Sequence, residues 1–110
     1  MANKVMVIIS TGEKEKALTG ILYAANALKN NWLDDVQVFF FGPFEKLVTE
    51  DEEVQEKVAK LAEYNKPTAC RFLSEKSGVT EQLEGLGYDV EYVGSMVSEA
   101  IKDGYVPMVF

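Results

Sequence analysis

Histidine is absent from the chain, and cysteine occurs once, at Cys70. Without histidine there is no Ser-His or Cys-His nucleophile pair. One cysteine and no histidine do not supply an ordinary zinc site, so neither a metal nor a cofactor is expected. A single cysteine forms no internal disulfide, which fits a reducing compartment. Positive charge is scarce as well: 11 basic residues face 18 acidic ones, a net charge of −7. An acidic surface repels phosphate backbones and anionic lipid, so neither nucleic acid nor a membrane is an expected partner. No apolar run approaches the ~20 residues that span a bilayer. Met1-Ala2-Asn3-Lys4 leads straight into a strand, with no separable basic region, apolar stretch and cleavage site; the expected location is cytoplasmic. The glycine-rich phosphate motifs are missing too, because Thr11-Gly12-Glu13-Lys14 lacks P-loop spacing and no G-x-G-x-x-G occurs. No repeat, low-complexity tract or linker divides the chain.

What is present is a regular alternation in a chain of 110 residues, 47% of them hydrophobic, a length suited to one domain over residues 1–110. KVMVIIS from Lys4 to Ser10 is β-branched and nearly free of polar residues, the pattern of a strand covered on both faces. Ser10 and Glu13 have capping-box spacing, and Ala17, Ile21, Ala25 and Leu28 then recur at helical spacing. VQVFFFG from Val36 predicts a second strand, broken by Gly42-Pro43. Thr49 with Glu52 makes another capping box before a helix whose stripe is Val54, Val58, Leu61 and Ala62. Pro67 to Phe72 is a short third strand. Ser74 to Gly87 reads as helix interrupted near Gly78, with Thr80 capping its second part. Tyr88 to Val93 is a fourth strand, Ser95 to Asp103 a short helix, and YVPMVF from Tyr105 a fifth strand.

This βαβαβαβαβ pattern predicts a parallel sheet between two layers of helices, joined by right-handed crossovers. Pro107 removes a ladder donor, which places the fifth strand at an edge; Asp89 and Glu91 suit an edge for the fourth. An apolar edge strand calls for cover, so a homo-oligomer is expected. Trp32, Phe44 and Tyr64 are open to use at an interface or to ordinary packing.

Ligands of a parallel α/β sheet gather at the carboxyl ends of its strands. Four segments reach that edge: Ser10-Thr11-Gly12, Gly42-Pro43-Phe44, Cys70-Arg71 and Gly94-Ser95. Ser10, Thr11, Gly12, Gly42, Arg71, Gly94 and Ser95 are therefore candidates for holding an anion or ligand, although Ser10 and Thr11 equally suit capping. Cys70, just before a helix, is the candidate nucleophile, since a helix N-terminus favours the thiolate and Arg71 and Lys76 lie close in sequence. A free cysteine that simply packs in the core is the alternative. Glu50 to Glu53 is read as a solvated first helical turn favoured by the dipole rather than as a metal site.

Two stretches, VMVIISTGEKEKALTGILYAANAL and the run from Ala69-Cys70 through Gly78 to LEGLGYDVEYVGSMVSEAIKDGYVPMVF, resemble the DsrE-like family of small sulfur-relay and related proteins. The resemblance spans nearly the whole chain. It implies a DsrE-like three-layer α/β/α sandwich on a five-stranded, mostly parallel sheet, with the fourth and fifth strands at its two edges. It also implies a homo-oligomer, a dimer, trimer or hexamer. In the sulfur-transferring members the matching cysteine carries sulfane sulfur as a persulfide, which points to Cys70 here and to donor and acceptor proteins as partners. Some members lack that cysteine, so a non-catalytic oligomeric binding or regulatory module with a structural Cys70 is the other reading.

Overall fold

The computed structural model describes residues 2–110. The densest β-branched run becomes β1 (Lys4–Ile9), and around it lie β2 (Asp35–Phe40), β3 (Thr68–Cys70), β4 (Asp89–Glu91) and β5 (Tyr105–Val109). All pairings are parallel, and the strand order is β4-β3-β2-β1-β5. β4 and β5 are the edges, where Pro107 and the exposed Asp89 and Glu91 do no harm to the ladder.

Six helices connect the strands: α1 (Lys14–Lys29), α2 (Gly42–Glu50), α3 (Glu52–Ala62), α4 (Arg71–Ser77), α5 (Thr80–Gly85) and α6 (Val93–Lys102). The first three crossovers step the same way across the sheet, so right-handedness stacks their helices on one face. There Val5, Val7 and Ile9 of β1 meet Ala17, Ile21 and Ala24 of α1 and Val54, Val58 and Leu61 of α3. The last crossover reverses direction from β4 back to β5, which carries α6 to the opposite face. Met6, Phe39, Cys70 and Tyr105 pack there with Val93 and Ala100. The alternation of side chains along β1 thus splits the core into two unequal layers, with α6 as the main cover of the smaller one.

Several local expectations are corrected. Gly42-Pro43 does not merely break β2; it opens α2, with proline in the first turn where its missing N–H is harmless. Gly42 has φ +43°, so a residue with a Cβ would be strained there. Glu13, not Ser10, caps α1: its carboxylate accepts from the amides of Glu15 and Lys16. Asp51, not Thr49, caps α3 by accepting from Val54 N. The Thr49 hydroxyl instead donates back to Lys46 O within α2. Val79 holds the cap position of α5, and Thr80 Oγ1 lies 2.7 Å from Ser74 Oγ. The break near Gly78 is present, with Gly78 left-handed at φ +74°. Phe44 is wholly buried in the core, whereas Trp32 and Tyr64 stand exposed. No described helix is long and apolar enough to cross a membrane.

Candidate functional site

The carboxyl ends of β1, β2 and β3 converge on the first turn of α2. Ser10 O accepts from Phe44 N at 3.3 Å, and Phe41 N donates to Ile9 O at 3.0 Å, so the start of α2 is stitched to the end of β1. Phe40 packs its ring 4.6 Å from Phe44 and 5.5 Å from Tyr88, an aromatic cluster that fixes the angle at which β2 passes into α2. Burial pushes the Tyr88 phenol up to about 12, which keeps it neutral.

Cys70 is the last residue of β3 and occupies the cap position of α4. Its side chain makes no capping hydrogen bond, and the residue is 7% exposed. Met6, Phe39, Val93, Ala100 and Tyr105 belong to the same buried cluster, with Ile8, Phe41, Leu73 and Val97 partly buried against it. The thiol therefore sits at the expected edge of the sheet, in surroundings more apolar than its sequence position implied. Phe72 and Tyr92, on either side of this region in sequence, are largely exposed.

The remaining candidates are placed as follows. Arg71 is engaged by its neighbours: Nη2 donates to Val90 O at 2.7 Å and lies 3.6 Å from Glu84, while Nη1 is 3.8 Å from Glu75. The guanidinium thereby fastens α4 to β4 and α5. The amides of Ser10 and Thr11 both donate to Phe110 O, at 2.8 and 3.3 Å, and Thr11 Oγ1 accepts from Glu13 N. Gly12 lies against Pro43; a Cβ added there would sit 3.3 Å from the proline Cβ. Ser10, Thr11 and Gly12 are thus occupied with holding the fold. Gly94 and Ser95 are exposed in the first turn of α6, next to the Val93 that packs with Cys70. The backbone of Gly42 is brought close to that of Cys70 by a residue the sequence reading missed.

That residue is Glu45. It is fully buried, and both carboxyl oxygens lack a hydrogen-bond partner. The amides of Gly42 and Cys70 face the carboxyl without closing bonds of ordinary geometry, and they draw its pKa down a little. Desolvation is the larger effect and pushes the carboxyl up to about 7. A buried acid poised near neutrality in the crevice of an α/β sheet is the arrangement from which proton-transfer groups are drawn. A signal for it existed. Glu45 stands three residues before Val48 and four after Phe41, on the apolar stripe of α2, where a surface carboxylate has no reason to be.

Three concavities lie elsewhere. One of about 560 Å³ and one of about 340 Å³ share Gln37 and Met96 on the α6 face. The third, about 610 Å³, runs between α1 and α3 with Leu18, Leu22, Ala25 and Tyr64 in its walls. Cys70 lines none of them. Among the described residues no group of three metal-ligating side chains is assembled.

No family model matches the chain, and no curated protein does. Among solved structures it is similar to a conserved protein of unknown function, BT1422, from Bacteroides thetaiotaomicron. The TM-score is 0.90 at 24% sequence identity, over 98% of this chain and 95% of that one. At that identity the likeness establishes the α/β fold and nothing further.

Proposed function

We propose that this chain is a DsrE-like sulfur carrier that holds a persulfide on Cys70 and passes the outer sulfur to a partner thiol. The observation that supports this is the position of Cys70. It ends a central-sheet strand and starts a helix at the edge where α/β folds hold ligands, and its side chain is left free of any capping duty. The thiolate attacks the outer sulfur of a donor R–S–SH; the new S–S bond forms on Cys70 as the donor's S–S bond breaks, and the donor leaves as a thiol. Release is the same exchange run toward an acceptor thiol, because the chain has no second cysteine. No histidine base is required. The carrier is proposed to act in the cytoplasm as a homo-oligomer, a dimer, trimer or hexamer, in which the exposed Val106 and Val109 of the β5 edge are covered.

A second reading, a non-catalytic oligomeric binding or regulatory module, is favoured by one observation: the 7% exposure of Cys70 within an apolar cluster. Intact-mass measurement of the native protein after treatment with polysulfide separates the two. A sulfur adduct on the wild type that is absent from Cys70→Ser supports the carrier. A thiol inert to polysulfide and to alkylation in the native protein leaves the module.

A further inference from the structure

We propose that Glu45 is the proton carrier of the Cys70 site, taking the thiol proton as the cysteine attacks and returning it to the departing thiolate. The inference deepens the sulfur-carrier reading and rests on it for the identity of the co-reactant. Its basis is geometric. Glu45 is wholly buried, both of its oxygens are unpartnered, and the groups they face are the backbone amides of Gly42 and Cys70. The cysteine sulfur is three bonds from the Cys70 nitrogen, within about 4 Å of it in any rotamer. The carboxyl is thus within about 7 Å of the sulfur. An unsatisfied carboxyl in a core is costly to keep, and a packing role alone is met better by leucine or glutamine.

The other charged groups around the site are paired or exposed, and Glu91 of β4, the register partner of Cys70, is exposed. On α3, Asp51 and Glu53 are held by Lys14 at 3.0 Å each. On α4, Arg71 is committed to Val90 O and Glu84, and Glu75 and Lys76 are exposed. Glu84 of α5 is exposed beyond that guanidinium, and Tyr88 stays neutral. The pKa of Glu45 is raised by desolvation alone, opposed only by the two amides.

The step balances without a further reagent. Cys70–SH and Glu45–COO⁻ become Cys70–S⁻ and Glu45–COOH. The thiolate attacks R–S–SH at its outer sulfur, giving Cys70–S–SH and R–S⁻. Glu45–COOH then protonates R–S⁻ to R–SH and is restored as the carboxylate.

The test is the pH profile of Cys70 alkylation by iodoacetamide, measured on folded wild type, Glu45→Gln and Glu45→Asp, alongside persulfide loading from a small alkyl persulfide. The wild-type alkylation rate is expected to inflect near neutral pH. In Glu45→Gln that inflection is lost, with the rate at neutrality down about tenfold. Glu45→Asp keeps a neutral-range inflection. Superimposable profiles for wild type and Glu45→Gln, or a Cys70 inert at every pH in all three proteins, overturn the proposal. A changed alkylation profile with no persulfide adduct on any variant sinks the carrier reading and leaves the Glu45–Cys70 coupling standing. Persulfide loading with one pH profile in wild type and Glu45→Gln does the reverse.

Discussion

Replacing Glu45 by glutamine is expected to stabilise the protein above neutral pH and to leave it nearly unchanged in acid. The side chain is wholly buried with neither oxygen partnered, so its charged form is penalised in the folded state and solvated in the unfolded one. Its pKa rises on folding from the ordinary 4.5 to about 7. For a raised acid the folded state holds the proton more tightly. The stability this confers is complete below about pH 4.5, declines as pH climbs from there to about 7, and is gone above. At 1.36 kcal/mol per tenfold shift in proton affinity, the decline amounts to about 3 kcal/mol. Glutamine keeps the shape and does not ionise. The difference in unfolding free energy between variant and wild type should therefore grow through that window, at no more than about 1.4 kcal/mol per pH unit, and level off beyond it. Urea denaturation followed by circular dichroism at pH values from 4 to 9 measures it. Taking the difference cancels every other titration. Asp51, held below its usual range first by the Val54 amide, titrates on the acid side of the window, and Tyr88 and Tyr105 titrate near about 12. A difference that is flat with pH refutes the reasoning, because it places the carboxylate in contact with water or with a donor.

Gly20 of α1 faces the Phe110 ring so closely that an added Cβ would lie 2.8 Å from its Cγ; Gly20→Ala should lower the melting temperature despite the helix propensity of alanine. In a Phe110→Gly background, which also removes the Phe110 Cβ that would lie 3.2 Å away, the same substitution should instead stabilise by about 1 kcal/mol, a sign change that a double-mutant cycle reads directly. Leu61→Ala, at a position with no exposure on the α3 stripe, should cost about 2–5 kcal/mol in urea denaturation. Ser74→Ala removes a buried hydroxyl that donates to Arg71 O and pairs with Thr80 Oγ1, joining α4 to α5. A loss of about 1–2 kcal/mol is expected, with hydrogen exchange rising first in α5.

The sequence alone was enough for the strands, their parallel pairing and both edges. Those features follow from local patterns: unbroken β-branched runs for strands buried on two faces, intervening helical periods too long for hairpins, a proline that forfeits a ladder donor, and acids that tolerate only an edge. The helix caps were less legible, because Ser10, Glu13, Thr49 and Asp51 all carry oxygens able to cap, and the choice depends on where the preceding strand lets go of its neighbour. Gly42-Pro43 misled for the same reason; the pair punctuates a strand and opens a helix equally well, and Phe44 docking against Phe40 decides for the helix. Cys70 was legible as the end of β3, but its depth was not. Burial depends on α6, which returns across the opposite face only because the last crossover runs from one edge of the sheet to the other. Glu45 showed in the sequence only as an acid on the apolar stripe of α2, and its role in a site was not legible for a related reason. A single acid on an apolar stripe names no chemistry until the ends of β1, β2 and β3 close over it, and only that closure strips its water and turns the amide of a residue 25 positions away toward its carboxyl.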